Sequence, residues 1–158
     1  MSDLSIENID KLLSKIDQLG GNSTSVLKKS VNKQINFVKG EAKLLCPVDS
    51  GRLRNSITGL VKDTSTGISG TVSTNVGYAS YVEFGTGQKG ENSPSPPKYE
   101  GELGYRSDWN GQPAQPFIYP ALKNNEDKII ESVKDDLMKE IRRIARKWLM
   151  LKMKYTRL

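Results

Sequence analysis

The chain has 158 residues, 35% of them hydrophobic and 27% charged, and carries a net charge of +6. That length suits a single domain able to fold without disulfide or metal staples, and no apolar run approaches the ~18 residues of a membrane helix. Met1-Ser2-Asp3-Leu4 shows no basic-then-apolar secretory pattern, and Cys46, the one cysteine, excludes an internal disulfide and suits a reducing compartment.

The charge is uneven. Between Lys139 and Leu158 stand eight Lys or Arg against one acid, Glu140, so the rest of the chain is close to neutral. An anionic partner would therefore meet this terminal segment.

Taken in order, Leu4, Ile9, Leu12, Ile16 and Leu19 fall near helical spacing, and Gly20-Gly21 closes that run. Asn22 or Ser23 caps a second expected helix marked by Leu27, Val31, Ile35, Val38, Ala42 and Leu45, which Pro47 stops. The period then changes. Residues 56–63 and 67–76 are rich in β-branched side chains, with a five-residue hairpin loop, Asp63 to Gly67, between them. Tyr78 to Phe84 reads as one or two helical turns. Residues 85–115 lose all periodicity and hold six glycines and four prolines, a long loop expected to be mobile in a lone subunit.

Pro120 suits the first position of a last helix. Its stripe is Leu122, Ile129, Val133, Leu137, Ile141, Ile144, Trp148 and Leu151, about 48 Å long at ~1.5 Å per residue. The fold class is thus α+β: a small antiparallel sheet flanked by helices, two N-terminal and one long C-terminal. As one domain it divides into a helical part (1–46), a β-rich core (47–84), the loop (85–115) and a long basic helix (116–158).

The chain has no histidine, which removes the commonest general base, the usual zinc ligand and the Ser-His-Asp arrangement. Gly85 to Gly90 formally matches G-x-G-x-x-G, but the Pro/Ser-rich residues after it cannot open the helix that a dinucleotide site needs. Cys46 reads as a small packed hydrophobe, and Asp135-Asp136 as solvated carboxylates on a polar helix face. No catalytic, cofactor or metal site is expected, and no enzyme.

Three segments carry a family resemblance: Pro47-Val48-Asp49-Ser50-Gly51-Arg52-Leu53-Arg54-Asn55-Ser56-Ile57, Tyr78-Ala79-Ser80-Tyr81-Val82-Glu83-Phe84-Gly85-Thr86-Gly87, and Pro116-Phe117-Ile118-Tyr119-Pro120-Ala121-Leu122. In this order they resemble the head–tail connector, head–tail joining and tail-completion proteins of phages and prophages, over roughly Ser23 to Lys147. The helix before Gly20 and the basic end after Lys139 fall outside that pattern. The resemblance implies a structural protein of the neck, in the virion after assembly in host cytoplasm. Its partners would be its own copies in a ring, with six favoured and twelve as the alternative. Neighbouring neck, portal-side and tail-tube or tail-terminator proteins would join them, with transient contact to packaged DNA and no membrane. The alternative is a nucleic-acid-binding protein using the basic helix.

The motif residues make physical sense beside the resemblance. Asp49 or Ser50 can cap a turn, Gly51 permits a tight backbone, and Leu53 and Ile57 point to the core. Ser56 belongs to the same motif. Tyr78, Tyr81 and Phe84 form a hydrophobic ridge, Gly85 and Gly87 release the chain into the loop, and Pro116 and Pro120 bracket Phe117. Arg54 and Glu83 are expected to form an ion pair joining the first two motifs. Candidate interface residues are Tyr99, Tyr105 and Trp109 in the loop, held by neighbouring subunits along with Leu103, and Arg142, Arg143, Arg146 and Trp148 on the last helix.

Overall fold

A computed structural model describes Ile6, residues 8–65, 67–94 and 103–155. Among them are seven helices and a two-stranded antiparallel sheet, an α+β fold. In chain order these are α1 (Ile9–Gln18), α2 (Ser23–Leu45), α3 (Arg52–Ser56), β1 (Thr58–Thr64), β2 (Gly67–Ser73), α4 (Ala79–Phe84), α5 (Gly87–Glu91), α6 (Ile118–Lys123) and α7 (Glu126–Tyr155). The chain forms two compact units that interleave along the sequence. One is built from Ile35–Leu60 and Thr71–Glu126, the other from Leu4–Gln34, Val61–Gly70 and Asp127–Leu158.

The second unit is helical. The apolar positions of α1 and early α2 pack on the α7 stripe, burying Ile16, Val133, Leu137 and Ile144, with Leu12, Leu13, Val26, Leu27 and Ile141 around them. Burial of each such side chain contributes roughly 1.5–3 kcal/mol, so this stripe dominates the unit's stability. At the end of α1, Gly21 N–H donates to the Ile16 carbonyl and Gly20 N–H to that of Asp17, each at 2.9 Å, the double bond of a Schellman stop. Asn22 caps α2 through Ser25 N–H at 2.8 Å. Asp17 accepts both the backbone N–H and the hydroxyl of Ser23, which hold its carboxyl below the usual carboxylate range.

Asp136, expected to be solvated, is half-buried instead. It accepts the Ser30 hydroxyl at 2.9 Å and pairs with Lys33 at 3.1 Å, while the buried Gln34 amide donates to Ser132 at 2.8 Å. These contacts satisfy polar groups that the helix packing removes from water.

In the first unit the buried apolar residues are Val38, Ala42, Cys46, Leu53, Ile57, Val76, Ala79, Phe117 and Ala121. Burial raises the Cys46 thiol pKa, as suits a packed hydrophobe. Gly40, exposed on α2, has no atom within 4 Å of where a Cβ would sit. Gly40→Ala should therefore raise stability by about 0.5–1 kcal/mol, read as a higher urea midpoint, because alanine restricts the unfolded chain and favours the helix.

Three boundaries differ from the sequence expectation. Ser56 ends a helical turn and is not the first residue of a strand, because its hydroxyl donates to the Leu53 carbonyl at 2.7 Å. The strands run to Thr64 and from Gly67, so the hairpin connection is shorter than five residues. The last helix is two: Pro120 is the third residue of α6, and α7 begins afresh at Glu126, about 45 Å long at ~1.5 Å per residue.

Candidate functional site

All three sequence motifs lie in the first unit, and one carboxylate joins the second to the third. Glu83, 9% exposed on α4, accepts N–H bonds from Phe117 (2.9 Å), Ile118 (3.1 Å) and Tyr119 (2.9 Å). A helix leaves its first four N–H groups without internal partners. In α6, three of these go to Glu83, and the fourth position is Pro120, which has no N–H. The expected Arg54–Glu83 ion pair is accordingly not formed: Arg54 is in no ion pair among the described residues, and both Glu83 oxygens are occupied. Buried backbone donors at a helix start are a closer match for a carboxylate than an exposed guanidinium.

The first motif behaves as expected at Leu53 and Ile57, which are 5% and 2% exposed. Its helix cap differs. Gly51 occupies the N-cap with φ 79° and no side chain caps it, since the Ser50 hydroxyl stands 3.5 Å from Arg52 N–H. Ser56 Oγ also meets Thr74 Oγ1 at 2.6 Å, tying α3 to the end of β2. The aromatic ridge is turned outward: Tyr78 and Tyr81 are exposed, and α4 instead buries Ala79 and Glu83. Pro47 to Leu53, Tyr78, Val82, Gln112, Pro113 and Gln115 line an open groove of about 410 Å³.

The glycine motif is a packing device rather than a mobile stretch. Thr86 N–H donates to Gln112 O and Gln112 N–H to Thr86 O, at 2.9 and 3.1 Å, while Gln88 and Lys89 N–H reach the carbonyls of Trp109 and Asn110. A Cβ on Gly111 would run into the Thr86 carbonyl, and one on Gly85 would stand 2.6 Å from Ala114 N. The described part of the loop thus finds backbone partners within its own chain. Tyr105 is half-buried, donating to the Phe84 carbonyl at 3.0 Å. Trp109 remains 51% exposed, and Tyr99 lies outside the described residues.

In the second unit the end of α7 combines cations with bare apolar side chains. Arg142, Arg143 and Arg146 are exposed, and Arg143 makes a two-pronged contact with Glu140 at 2.6 and 2.7 Å, which holds the Glu140 carboxyl below its usual range. Arg143 is exposed while Glu140 is half-buried, so the pair adds modest stability. The stripe that is buried through Ile144 emerges beyond it: Trp148 is 58% exposed and Leu151 46%. No helix of the described residues is long and apolar enough to cross a membrane.

The ordered motifs on a small α+β scaffold fit the structural proteins of bacteriophage head–tail and tail assemblies, and a family comparison agrees. Residues 10–85 match the family model described as "Bacteriophage HK97-gp10, putative tail-component", so this stretch is similar to the HK97-gp10-like family. The match takes in nearly all of α1, which was expected to fall outside the shared pattern, and stops before the third motif. Comparison with curated proteins and with solved structures gave no match.

Sequence reasoning named Glu83 but gave it the wrong partner. It missed Gly111 and Thr74 and read Asp136 as solvated. A Glu followed about 34 residues later by an aromatic and a proline that open a helix is too sparse a signal to have revealed the cap.

Proposed function

We propose that this chain is a non-enzymatic structural protein of the phage head–tail junction and works as one copy in a ring, six favoured and twelve the alternative. One observation carries the reading. The α7 stripe leaves its own core after Ile144 and continues as Trp148 and Leu151, 58% and 46% exposed, with Leu149 and Met150 bare beside it. Contiguous apolar surface of this kind marks a contact with another chain, and a phage tail-component family supplies the assembly in which such contacts close by symmetry. The copies would contact neighbouring neck, portal-side and tail proteins through their remaining surfaces.

The second reading, nucleic-acid binding, draws on the exposed cations of the same helix. A phosphate backbone would pair those cations but leave Trp148 and Leu151 uncovered. Sedimentation of the purified chain and removal of its gene test the proposal together. The expected results are a ring mass, and filled heads and finished tails that do not join. A chain that stays monomeric at high concentration, with particle assembly intact in its absence, would overturn it. Strongly salt-dependent duplex binding by that monomer would favour the second reading.

A further inference from the structure

The last turns of α7 carry two rows of side chains on opposite sides of the helix. One continues the buried stripe through Ile144 to Trp148 and Leu151. The other is Lys139, Arg142, Arg146, Leu149 and Met153, which recur at steps of three, four, three and four, the spacing with which one helix seats another. All five are exposed, and so is Met150 beside them: Leu149, Met150 and Met153 are 63%, 70% and 63% exposed. Lys139, Arg142 and Arg146 take part in no ion pair among the described residues. Glu140, the one acid of this stretch, lies off the row and is held by Arg143. Like charges four residues apart, as at Arg142 and Arg146, disfavour the helix that carries them, and bare Leu and Met lose the gain of burial. The free chain therefore bears a cost that a partner on this row would remove.

We infer that this row seats an acidic amphipathic helix of a different protein. Its carboxylates meet Lys139, Arg142 and Arg146, and its apolar side chains cover Leu149, Met150 and Met153. Charge complementarity carries the choice: guanidinium groups take carboxylates in two-pronged bonds, and methionine adapts to the shape laid against it. From Lys139 to Met153 the contact runs about 21 Å at ~1.5 Å per residue. A second copy matches poorly, because its own row is cationic and the earlier part of α7 mixes Asp127, Lys128, Glu131, Lys134 and Asp135. A lipid surface takes helices whose basic and apolar residues lie on opposite faces, whereas here they share one. A duplex would set phosphates against Leu149 and Met153, and the stretch from Lys139 to Lys154 has no Ser, Thr, Asn or Gln to join such contacts. The inference does not rest on the ring, whose carrying observation lies on the Trp148 side of the helix.

The probe is a synthetic helical peptide of about three heptads with Glu and Leu in this same three–four spacing, beside a control with Gln for every Glu. Fluorescence anisotropy with the full-length chain should show the Glu peptide binding about tenfold or more tighter than the control. Arg142→Glu/Arg146→Glu and Leu149→Ser/Met153→Ser should each weaken that binding about tenfold or more. Lys147→Glu/Lys154→Glu, the same change of charge off the row, should weaken it by less than about threefold. All six positions are exposed, so the three variants should keep the wild-type circular dichroism spectrum. Failure of the Glu peptide to bind, equal loss in the off-row variant, or no loss in the Leu149/Met153 variant would overturn the inference. So would tighter binding of a DNA duplex or of phosphatidylglycerol vesicles through the same residues, which would give the row to nucleic acid or membrane. An arginine variant with altered oligomeric mass in native mass spectrometry would give it to the contact between copies, and overturn it likewise. A monomeric wild type that binds the peptide as described would support this contact while removing the ring.

Discussion

Glu83→Ala should lower the unfolding free energy by roughly 3–5 kcal/mol, a large share of what a domain of this size has. The carboxylate is buried, and it is the acceptor for the N–H groups of Phe117, Ile118 and Tyr119. Removing it leaves three donors without partners at the start of α6, one of them on Phe117, which is 0% exposed. Each buried donor left unsatisfied costs about 1–3 kcal/mol. Glu83→Gln preserves the volume and keeps one accepting oxygen, but points an amide nitrogen at backbone donors, so an intermediate loss is expected. Equilibrium urea unfolding of the three proteins measures the series. An alanine variant within about 1 kcal/mol of the parent would show that α6 finds other partners for its first turn.

Gly85→Ala is the second large effect, expected at roughly 3 kcal/mol or more. Gly85 ends α4 with φ 74° and ψ −176°, a conformation essentially confined to glycine. Its missing side chain also leaves room for the returning loop: an added Cβ would stand 2.6 Å from Ala114 N, 2.7 Å from Gly90 Cα and 2.8 Å from Gln112 O. All three are backbone atoms, which cannot swing aside as a side-chain end can. Gly77→Ala is the matched control, since nothing lies within 4 Å of its added Cβ. Thermal unfolding should separate the two clearly. Equal, small shifts in both would show that the Thr86–Gln112 pairing tolerates displacement.

The sequence by itself determined the elements whose cause is local. Helical spacing in Ile9 to Leu19 and Leu27 to Leu45, the stop at Gly20-Gly21 and the break at Pro47 depend on backbone preferences and periodic burial, which neighbouring residues set. The same holds for the hairpin and for the α7 stripe, which buries Ile129, Val133, Leu137 and Ile144. The three ordered motifs were legible too, and with them the likeness to phage proteins that the match over residues 10–85 repeats. What the tertiary structure decided was pairing across distance. Glu83 could have met a guanidinium or a helix start, and it meets the helix start because α4 brings it to three N–H groups that have no other acceptor. The glycines at 85, 87 and 111 looked like freedom of the chain and prove to be close approach, because the segment that needs the space returns more than twenty residues later. Asp136 looked solvated until α2 presented Ser30 and Lys33 to it. In each case the composition names a group able to bond, and only the fold supplies the partner, because hydrogen-bond geometry is set by which elements pack together and not by spacing along the chain.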